Sequence, residues 1–498
     1  MRAIEMAQHI ANELENLGVR EICLCSGARN APLVEAFQKN ENFRIMSFFD
    51  ERSAAFFALG RARKTQTPVV VCTTSGTAAS ELLSATIEAY YSEIPLILLT
   101  ADRPPRFRYS GAPQSMDQLS FFKNYTQAQW ELESEFLSLS KSTGPIHINV
   151  CLEDPVGPKQ SNAITEKILW EDVQKPLVII GELNKEEKKW TRDFLRENQC
   201  VFIAEAHSCI NKTHENEFKS IEVSSQVVSK SDFPFVFDGI LRLGRVPTLR
   251  LWRDLEESLD FIPVKSFSHH PWSGLGREDS SPESFEVLKD LKINYEIPKE
   301  ISIRQNSFLK KREGLVAEFP KSELALIQTL SKVIHDEACV FLGNSLPIRE
   351  WDLVADSRED IEVISQRGMN GIDGLISTFM AMANEKKENV IVVGDLSAFY
   401  DVNAFWNLRY LNKNLSLRIV IINNQGGRIF RRLFKDPILQ TTHEEDFQSF
   451  SKLWQLPYIT VSSTKEMHDQ WKLLPQQVIV EVQPDLAQSD RAWEWINV

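Results

Sequence analysis

Short apolar runs alternate with helical patterns throughout the first third of the chain. Between the runs, apolar residues recur at the spacing of amphipathic helices. Continuous apolar strands separated by helices are typical of a parallel sheet that is covered on both faces. The pattern therefore predicts a doubly wound α/β domain, with strands over 21–25, 68–74, 95–102 and 145–153.

The same alternation occurs twice more along the chain. Polar, proline-containing sequence predicts linkers near 154–175 and over 275–310. Strands of a middle domain are predicted over 175–184, 200–208, 233–241, 247–252 and 263–268. Strands of a last domain are predicted over 339–345, 361–367, 389–395, 417–424 and 478–484. The fold class expected is α/β, with three doubly wound domains and mostly parallel sheets, over 1–170, 175–290 and 305–498.

Composition restricts the classes of partner. The 498 residues carry 56 Lys and Arg against 69 Asp and Glu, a net charge of −13, which argues against nucleic acid as a partner. The chain contains no apolar run of about 18 residues, so no membrane span is expected. The seven cysteines fit buried free thiols in a reducing compartment, and the N-terminal residues predict an amphipathic helix rather than a signal peptide. A cytoplasmic location is therefore predicted.

Two polar residues follow successive strands of the last domain. Asp395 ends one predicted strand and Asn424 ends the next. Because parallel strands open on the same edge of a sheet, both side chains are expected at the ligand-binding edge. Their oxygens, with the carbonyl of Gly426, suit Mg²⁺, which usually shares its oxygen ligands with phosphates. The alternative is that both residues only cap helices.

This block resembles the fingerprint of thiamine-diphosphate-dependent enzymes, in which Gly-Asp precedes Asn-Asn at this spacing and a metal bridges the diphosphate. The third residue of that fingerprint is usually Gly and here is Leu396. The sequence GDLS and the stretch 400–404 resemble one branch, the 2-succinyl-5-enolpyruvyl-6-hydroxy-3-cyclohexene-1-carboxylate (SEPHCHC) synthase family of menaquinone biosynthesis. In the first third, FDER around Glu51, TTSGTA (73–78) and LLTADRPPR (98–106) follow in the order of that family.

The resemblance implies the three-domain architecture of thiamine-diphosphate enzymes and a reaction. The family uses thiamine diphosphate and Mg²⁺ or Mn²⁺ to decarboxylate 2-oxoglutarate and adds the remaining four-carbon unit to isochorismate. The resemblance implies that Glu51 is catalytic, through a hydrogen bond to the aminopyrimidine ring, and that Asp395, Asn424 and Gly426 bind the metal. Implied cofactor contacts are Ser26, Thr77, Ser345, Leu346, Ile372, Asp395, Leu396, Ser397, Asn424, Gly426, Gly427 and Ile429.

Both implied substrates are dianions, so arginines are expected on loops at strand ends. Four arginines follow predicted strands and match substrate-site motifs of the family, as does one glutamine. These residues are Arg29, Arg103, Gln114, Arg349 and Arg367. The chain departs from the family pattern at Ala28, Pro113, Gln425 and Arg428, which leaves the detailed substrate contacts open.

Two alternatives remain at this stage. One is another thiamine-diphosphate 2-oxo acid decarboxylase or carboligase. The features that would favour it, a tandem histidine pair in the first domain and a flavin motif, are absent from the sequence. The other is a scaffold without catalysis, against which the intact Glu51, Asp395 and Asn424 speak. Neither the first nor the last domain holds a complete site. The resemblance thus implies a homodimer, or a tetramer of two dimers, with active sites at the dimer interface.

Overall fold

The computed structural model describes residues 3–134, 137–153, 168–210, 218–277, 281–356, 358, 361–431, 433–434 and 436–497. The chain divides into two compact units. The first unit combines Met1–Pro158 with two distant segments, Arg367–Asp373 and Gln425–Glu444, and the second unit comprises the rest. The predicted boundaries of three domains stay a prediction.

A six-stranded parallel sheet forms the core of the first unit, in the order β2-β1-β3-β4-β6-β5. Its strands are β1 Glu21–Cys25, β2 Arg44–Phe48, β3 Val69–Thr73, β4 Leu96–Asp102, β5 Ala128–Leu132 and β6 Ile146–Cys151. Its helices are α1 Ala3–Asn16, α2 Ala31–Gln38, α3 Glu51–Thr65, α4 Thr77–Ser80, α5 Leu83–Tyr91 and α6 Gln118–Phe122. All four predicted strands are confirmed. The pattern misses β2 and β5 because both are edge strands with mostly half-buried or exposed residues.

Both faces of this sheet are covered. Ile22 and Leu24 of β1 pack into one apolar cluster, and Cys23 and Cys25 pack into another. Successive side chains of a strand point to opposite faces, so the two clusters lie on the two sides of the sheet. The structure confirms that the first sheet is doubly wound.

A five-stranded parallel sheet of the second unit has the order β11-β10-β7-β8-β9. Its strands are β7 Pro176–Ile180, β8 Val201–Ala204, β9 Ile221–Glu222, β10 Gly239–Leu243 and β11 Val264–Phe267, with helices α7 Lys185–Glu197 and α8 Arg250–Glu257. The predicted strand 247–252 is wrong, because these residues lead into α8, whose Leu251, Trp252 and Leu255 share a buried face. Only the end of the predicted strand 233–241 enters β10.

The predicted linker 275–310 is partly wrong. The 20-residue helix α9, Lys299–Glu318, begins inside it. This helix is polar except for a narrow stripe, since Ile301, Phe308 and Leu315 are its buried residues and recur every seven positions. So thin a stripe in a charged segment escapes a search for broad apolar faces.

A third sheet, also in the second unit, has six parallel strands in the order β13-β12-β14-β15-β17-β16. Its strands are β12 Cys339–Leu342, β13 Glu362–Ser365, β14 Asn389–Gly394, β15 Leu417–Ile422, β16 Tyr458–Val461 and β17 Gln477–Val482. The helices along this stretch are α10 Glu323–Val333, α11 Leu346–Val354, α12 Leu375–Met382, α13 Asp395–Tyr400, α14 Pro437–Gln440, α15 Gln448–Trp454, α16 Thr464–Trp471 and α17 Leu486–Ile496. Helix α14 lies in the segment 425–444 of the first unit. The five predicted strands are confirmed, and the edge strand β16 is missed.

The first and third sheets have the same topology. Numbered within each sheet, both have the strand order 2-1-3-4-6-5. In such sheets the order reverses beside the first strand, and ligands bind outside the carboxyl ends of the strands at that point. The loops that follow β1 and β3, and those that follow β12 and β14, are therefore where binding residues are expected. No helix of the described residues is both long and apolar enough to cross a membrane.

Candidate active site

Glu51 is the first residue of α3 and is partly buried. The Asp50 side chain caps the helix by accepting a hydrogen bond from the Ser53 amide at 2.7 Å. Glu51 lies near the end of β1: burial raises the pKa of the Cys25 thiol, and the Glu51 charge adds to that effect. Small residues on α3 let the helix approach the sheet closely; its buried residues are Ala54, Ala55, Ala58, Leu59 and Ala62.

The loops after β1 and β3 are tied to the distant segments of the same unit. The Ser26 hydroxyl donates to the Ile438 carbonyl at 2.8 Å, and the Thr77 hydroxyl donates to Asp373 Oδ1 at 2.8 Å. Ser26, Thr77 and Glu51 thus belong to one unit with Ile372 and the loop that carries Gly426, Gly427 and Ile429. The structure brings this part of the predicted set together.

Three predicted substrate residues follow strands of the first sheet. Arg29 and Arg103 are only 7% and 9% exposed. Arg29 Nη1 donates to the Leu152 carbonyl at 2.8 Å, and Arg103 Nε donates to the Pro113 carbonyl at 2.9 Å. The backbone amide of Gln114 donates to the Met369 carbonyl at 3.2 Å. Two guanidinium groups are therefore held, largely out of water, at the carboxyl edge.

The other two predicted arginines are placed differently. Arg367 belongs to the segment 367–373 of the first unit and is partly buried. Arg349 belongs to the second unit, is exposed on α11, and donates from Nη1 to the Ser345 carbonyl at 2.6 Å. Arg349 therefore belongs to a different unit from the other three predicted arginines.

Asp395 and Asn424 follow adjacent strands of the third sheet. Strands β14 and β15 pair in parallel with Gly394 opposite Ile422, so both residues lie just beyond neighbouring strand ends. Asp395 is 2% exposed and Asn424 is 5% exposed. Asp395 Oδ1 accepts a hydrogen bond from the Leu396 amide at 2.6 Å, as expected at a tight strand-to-helix turn.

Glu323 fixes the orientation of the Asn424 amide. Asn424 Nδ2 donates to both carboxylate oxygens of Glu323 at 3.0 Å, and Glu323 is buried at the start of α10. Because the Asn424 side-chain nitrogen faces the Glu323 carboxylate, the Asn424 side-chain oxygen points away from it. That orientation leaves a hard oxygen donor for a cation.

The residues present fit a divalent metal bound to a diphosphate. Asp395 and Asn424 supply buried oxygens from adjacent strands, the ligand type that Mg²⁺ prefers. Gly426 has φ +123°, and a Cβ there would come within 2.7 Å of the Gln440 and Thr441 carbonyls, so only glycine fits. Gly426 belongs to the first unit and the other two residues to the second, so the predicted set of three ligands stays a prediction.

Sequence reasoning missed three acids. Asp373 lies in the GIDG motif beside Ile372 and could have been found there. Glu481, in the buried strand β17, accepts hydrogen bonds from the Asn423 side chain at 2.7 Å and from the Tyr458 hydroxyl at 2.6 Å. A glutamate inside an apolar run was its signal. Glu323 gave no signal in the sequence, because its partner Asn424 is 101 residues away along the chain.

One group of described acidic and thiol side chains is close enough to hold a metal: Asp102, Glu131 and Cys151. Arg108 pairs with both carboxylates, so a guanidinium already supplies the positive charge there. Burial raises the pKa of Asp102 to about 6. We therefore assign this group to the structure of the sheet rather than to a metal.

We expect His147 to make the fold sensitive to acid. The Thr100 hydroxyl donates to Asn149 Oδ1 and so accepts from His147 Nε2, which leaves Nδ1 without a partner among the described residues. Burial lowers the His147 pKa from 6.5 to about 3. Neutral His147 therefore contributes fully to the free energy of unfolding above pH 6.5, and this contribution is lost as the pH falls towards 3. At pH 5 the free energy of unfolding should be lower by roughly 2 kcal/mol.

Urea unfolding at pH 7 and pH 5 tests this expectation. His147→Gln keeps a donor for Thr100 but does not titrate, so it should lose less stability between the two pH values than the parent chain. An equal loss in both proteins would contradict the role of His147.

The chain is similar to known proteins along its whole length. Residues 4–121 match the family model described as thiamine pyrophosphate enzyme, N-terminal TPP binding domain. A Bdellovibrio bacteriovorus protein is 36% identical over 99% of this chain and 98% of its own, and one from Akkermansia muciniphila is 33% identical over 95% of each. A Bacillus pumilus protein is 27% identical over 93% of this chain and 91% of its own. All three are named 2-succinyl-5-enolpyruvyl-6-hydroxy-3-cyclohexene-1-carboxylate synthase, and the chain therefore belongs to this family of thiamine-diphosphate-dependent enzymes.

Proposed function

We propose that the protein decarboxylates 2-oxoglutarate with thiamine diphosphate and Mg²⁺ or Mn²⁺, and joins the remaining four-carbon unit to isochorismate by 1,4-addition. The products are SEPHCHC and CO₂, in a step of menaquinone biosynthesis. One observation carries the proposal. Two sheets of identical topology present complementary groups at their ligand-binding edges, Glu51 in one and the buried Asp395 and Asn424 in the other.

In this proposal, thiamine diphosphate supplies the nucleophilic carbon and accepts the electron pair released when CO₂ leaves. Glu51 holds a proton against the pyrimidine nitrogen. Asp395, Asn424 and the Gly426 carbonyl hold the cation that neutralises the diphosphate. The further cofactor contacts proposed are Ser26, Thr77, Ser345, Leu346, Ile372, Leu396, Ser397, Gly427 and Ile429.

Arginines bind the substrate carboxylates in this proposal. Guanidinium groups match carboxylates in charge and geometry, and a site with little water strengthens the interaction. Arg29 and Arg103 are both buried at the edge of the first sheet, and Arg103 also lies over the Phe107 ring at 5.2 Å. Gln114, Arg349 and Arg367 complete the proposed substrate set.

Product mass tests the reaction. With cofactor, metal, 2-oxoglutarate and isochorismate, we expect a product whose mass equals the sum of both substrates less CO₂. Omitting thiamine diphosphate should abolish isochorismate consumption. Turnover of a different 2-oxo acid, or release of a free aldehyde at full rate without isochorismate, would favour another decarboxylase or carboligase. Absence of thiamine diphosphate binding would indicate a scaffold.

We also propose that the protein is a homodimer, or a tetramer of two dimers, with two equivalent sites per dimer. Large aromatic side chains are exposed around Glu51 in sequence and on the neighbouring helix α5. Phe49, Phe56, Phe57 and Tyr91 are between 39% and 75% exposed. Exposed aromatic clusters on a protein surface mark interaction sites. We propose that each site combines Glu51 of one subunit with Asp395 of the other.

Mixing two inactive variants tests the shared site. Glu51→Gln and Asp395→Ala subunits, unfolded and refolded together, should form hybrids in which one of two sites is intact. About a quarter of all sites should then recover activity under random pairing. No recovery with hybrids demonstrated by mass would place each site within one chain, where the contact of Thr77 with Asp373 already occurs.

A cytoplasmic location is also proposed. All seven cysteines are free thiols, and all but Cys209 are buried. Free thiols without disulfides are typical of proteins in a reducing compartment.

A further inference from the structure

A chain of buried polar groups joins two loops of the first unit. We call Gly76, Gln118, Asn149, Asp102 and Arg103 the buried relay. Its three central side chains are almost inaccessible to water: Gln118 and Asn149 are 0% exposed and Asp102 is 1% exposed. Burying three such groups is costly unless each is hydrogen-bonded, so the bonds they make decide what they contribute.

The relay is continuous from one loop to the other. The Gly76 amide donates to Gln118 Oε1 at 2.9 Å, and Gln118 Nε2 donates to Asn149 Oδ1 at 2.8 Å. Asn149 Nδ2 donates to Asp102 Oδ2 at 3.0 Å. The Arg103 amide donates to Asp102 Oδ1 at 2.7 Å. Each link is of ordinary hydrogen-bond length.

Neighbouring groups fix the direction of every link. The Thr100 hydroxyl also donates to Asn149 Oδ1, and Gln118 Nε2 also donates to the Ala101 carbonyl. Asn149 therefore turns its oxygen to two donors and its nitrogen to the carboxylate of Asp102. Neither amide can flip without placing two donors or two acceptors face to face.

The two ends of the relay are the loops that the proposed function uses. Gly76, with φ +87°, immediately precedes Thr77, a proposed cofactor contact. Arg103 is a proposed substrate contact. Resting on that proposed function, we propose that Gln118, Asn149 and Asp102 are positioning residues, which hold the cofactor loop and the substrate arginine in a fixed relation. None of the three needs to touch either ligand.

Reversing one bond tests the proposal. Asn149→Asp removes the donor to Asp102 and places two carboxylates face to face. Asp102→Asn turns an amide nitrogen either to the Asn149 nitrogen or to the Arg103 backbone amide, so each single variant breaks the relay at Asp102. We expect each to raise KM for 2-oxoglutarate about tenfold, with a smaller change in kcat, and to speed amide hydrogen exchange at Arg103. The double variant restores a donor and an acceptor with the direction reversed.

We expect the double variant to recover at least threefold of the tenfold loss in KM and most of the amide protection at Arg103. Recovery is incomplete because Glu131 lies 3.5 Å from the Asn149 nitrogen and would repel a carboxylate there. Asn12→Asp, the same change at an exposed position of α1, is the control and should match the parent.

Gln118→Met provides a second test without a charge change. It removes the links to Gly76 and Asn149, so exchange at Gly76 should quicken and thiamine diphosphate should bind more weakly in calorimetry. Amide exchange does not depend on turnover, so it tests the relay even if the parent protein fails to convert isochorismate. Parent-like values in both single variants and in Gln118→Met, or a double variant no better than the worse single, would overturn the proposal.

Discussion

Replacing Glu51 by glutamine should leave thiamine diphosphate bound but slow exchange of the thiazolium proton by about two to four orders of magnitude. Glutamine keeps the size and one acceptor oxygen of glutamate. It cannot share a proton with the pyrimidine nitrogen, which is the role proposed for Glu51. Hydrogen–deuterium exchange at the thiazolium carbon, followed by NMR after acid quench, measures this step before any substrate adds.

Binding and exchange must be measured on the same preparation of Glu51→Gln. Calorimetry should give an affinity for thiamine diphosphate close to that of the parent. Glu41→Gln, the same change at an exposed position of the first unit, should leave both quantities unaltered. Exchange at the parent rate in fully loaded Glu51→Gln would rule out the proposed role.

Alanine at Asp395 or Asn424 should abolish binding of thiamine diphosphate with Mg²⁺ while the fold persists. Asp395→Ala removes the charged oxygen ligand of a cation that must neutralise a diphosphate. Asn424→Ala removes the neutral ligand and leaves the buried Glu323 without its amide partner. Both variants should show no measurable heat of binding at concentrations that saturate the parent.

Asn414→Ala is the matched control, because Asn414 is exposed between the same two strands, β14 and β15. It should bind cofactor and metal like the parent. Far-ultraviolet circular dichroism and thermal midpoints should show that all three variants are folded. Parent-like affinity in both Asp395→Ala and Asn424→Ala would refute the metal assignment.

The central strands were predictable from sequence, whereas four of the six edge strands, β2, β5, β9 and β16, were not. β3, β4, β14 and β15 are continuous apolar runs because both of their faces are covered. Edge strands such as β2 keep polar or half-buried residues, so their pattern is weak. Helix α8 was mistaken for a strand because the decisive buried residue, Leu255, lies beyond the short window that suggested one.

The residues of the candidate site also divide into those that local sequence identifies and those that it does not. Residues immediately after an apolar run, such as Asp395 and Arg103, can be located from the chain alone. Partners far away in sequence cannot, since nothing local in Glu323 or Asn149 indicates that each bonds to a strand-end residue. Their roles depend on which strands become neighbours, and the strand order is a property of the whole sheet.

The way the chain re-enters its first unit has a consequence for synthesis on the ribosome. Leu439 packs in the core of the first sheet. The Ile438 carbonyl accepts a hydrogen bond from the Ser26 hydroxyl, and the Asp373 carboxylate accepts one from the Thr77 hydroxyl. N-terminal domains generally fold first as the chain emerges. Here the first sheet can assemble early, but its core and binding loops are completed only after residue 444 has been made. The first sheet is therefore completed by residues that are translated much later than its own strands.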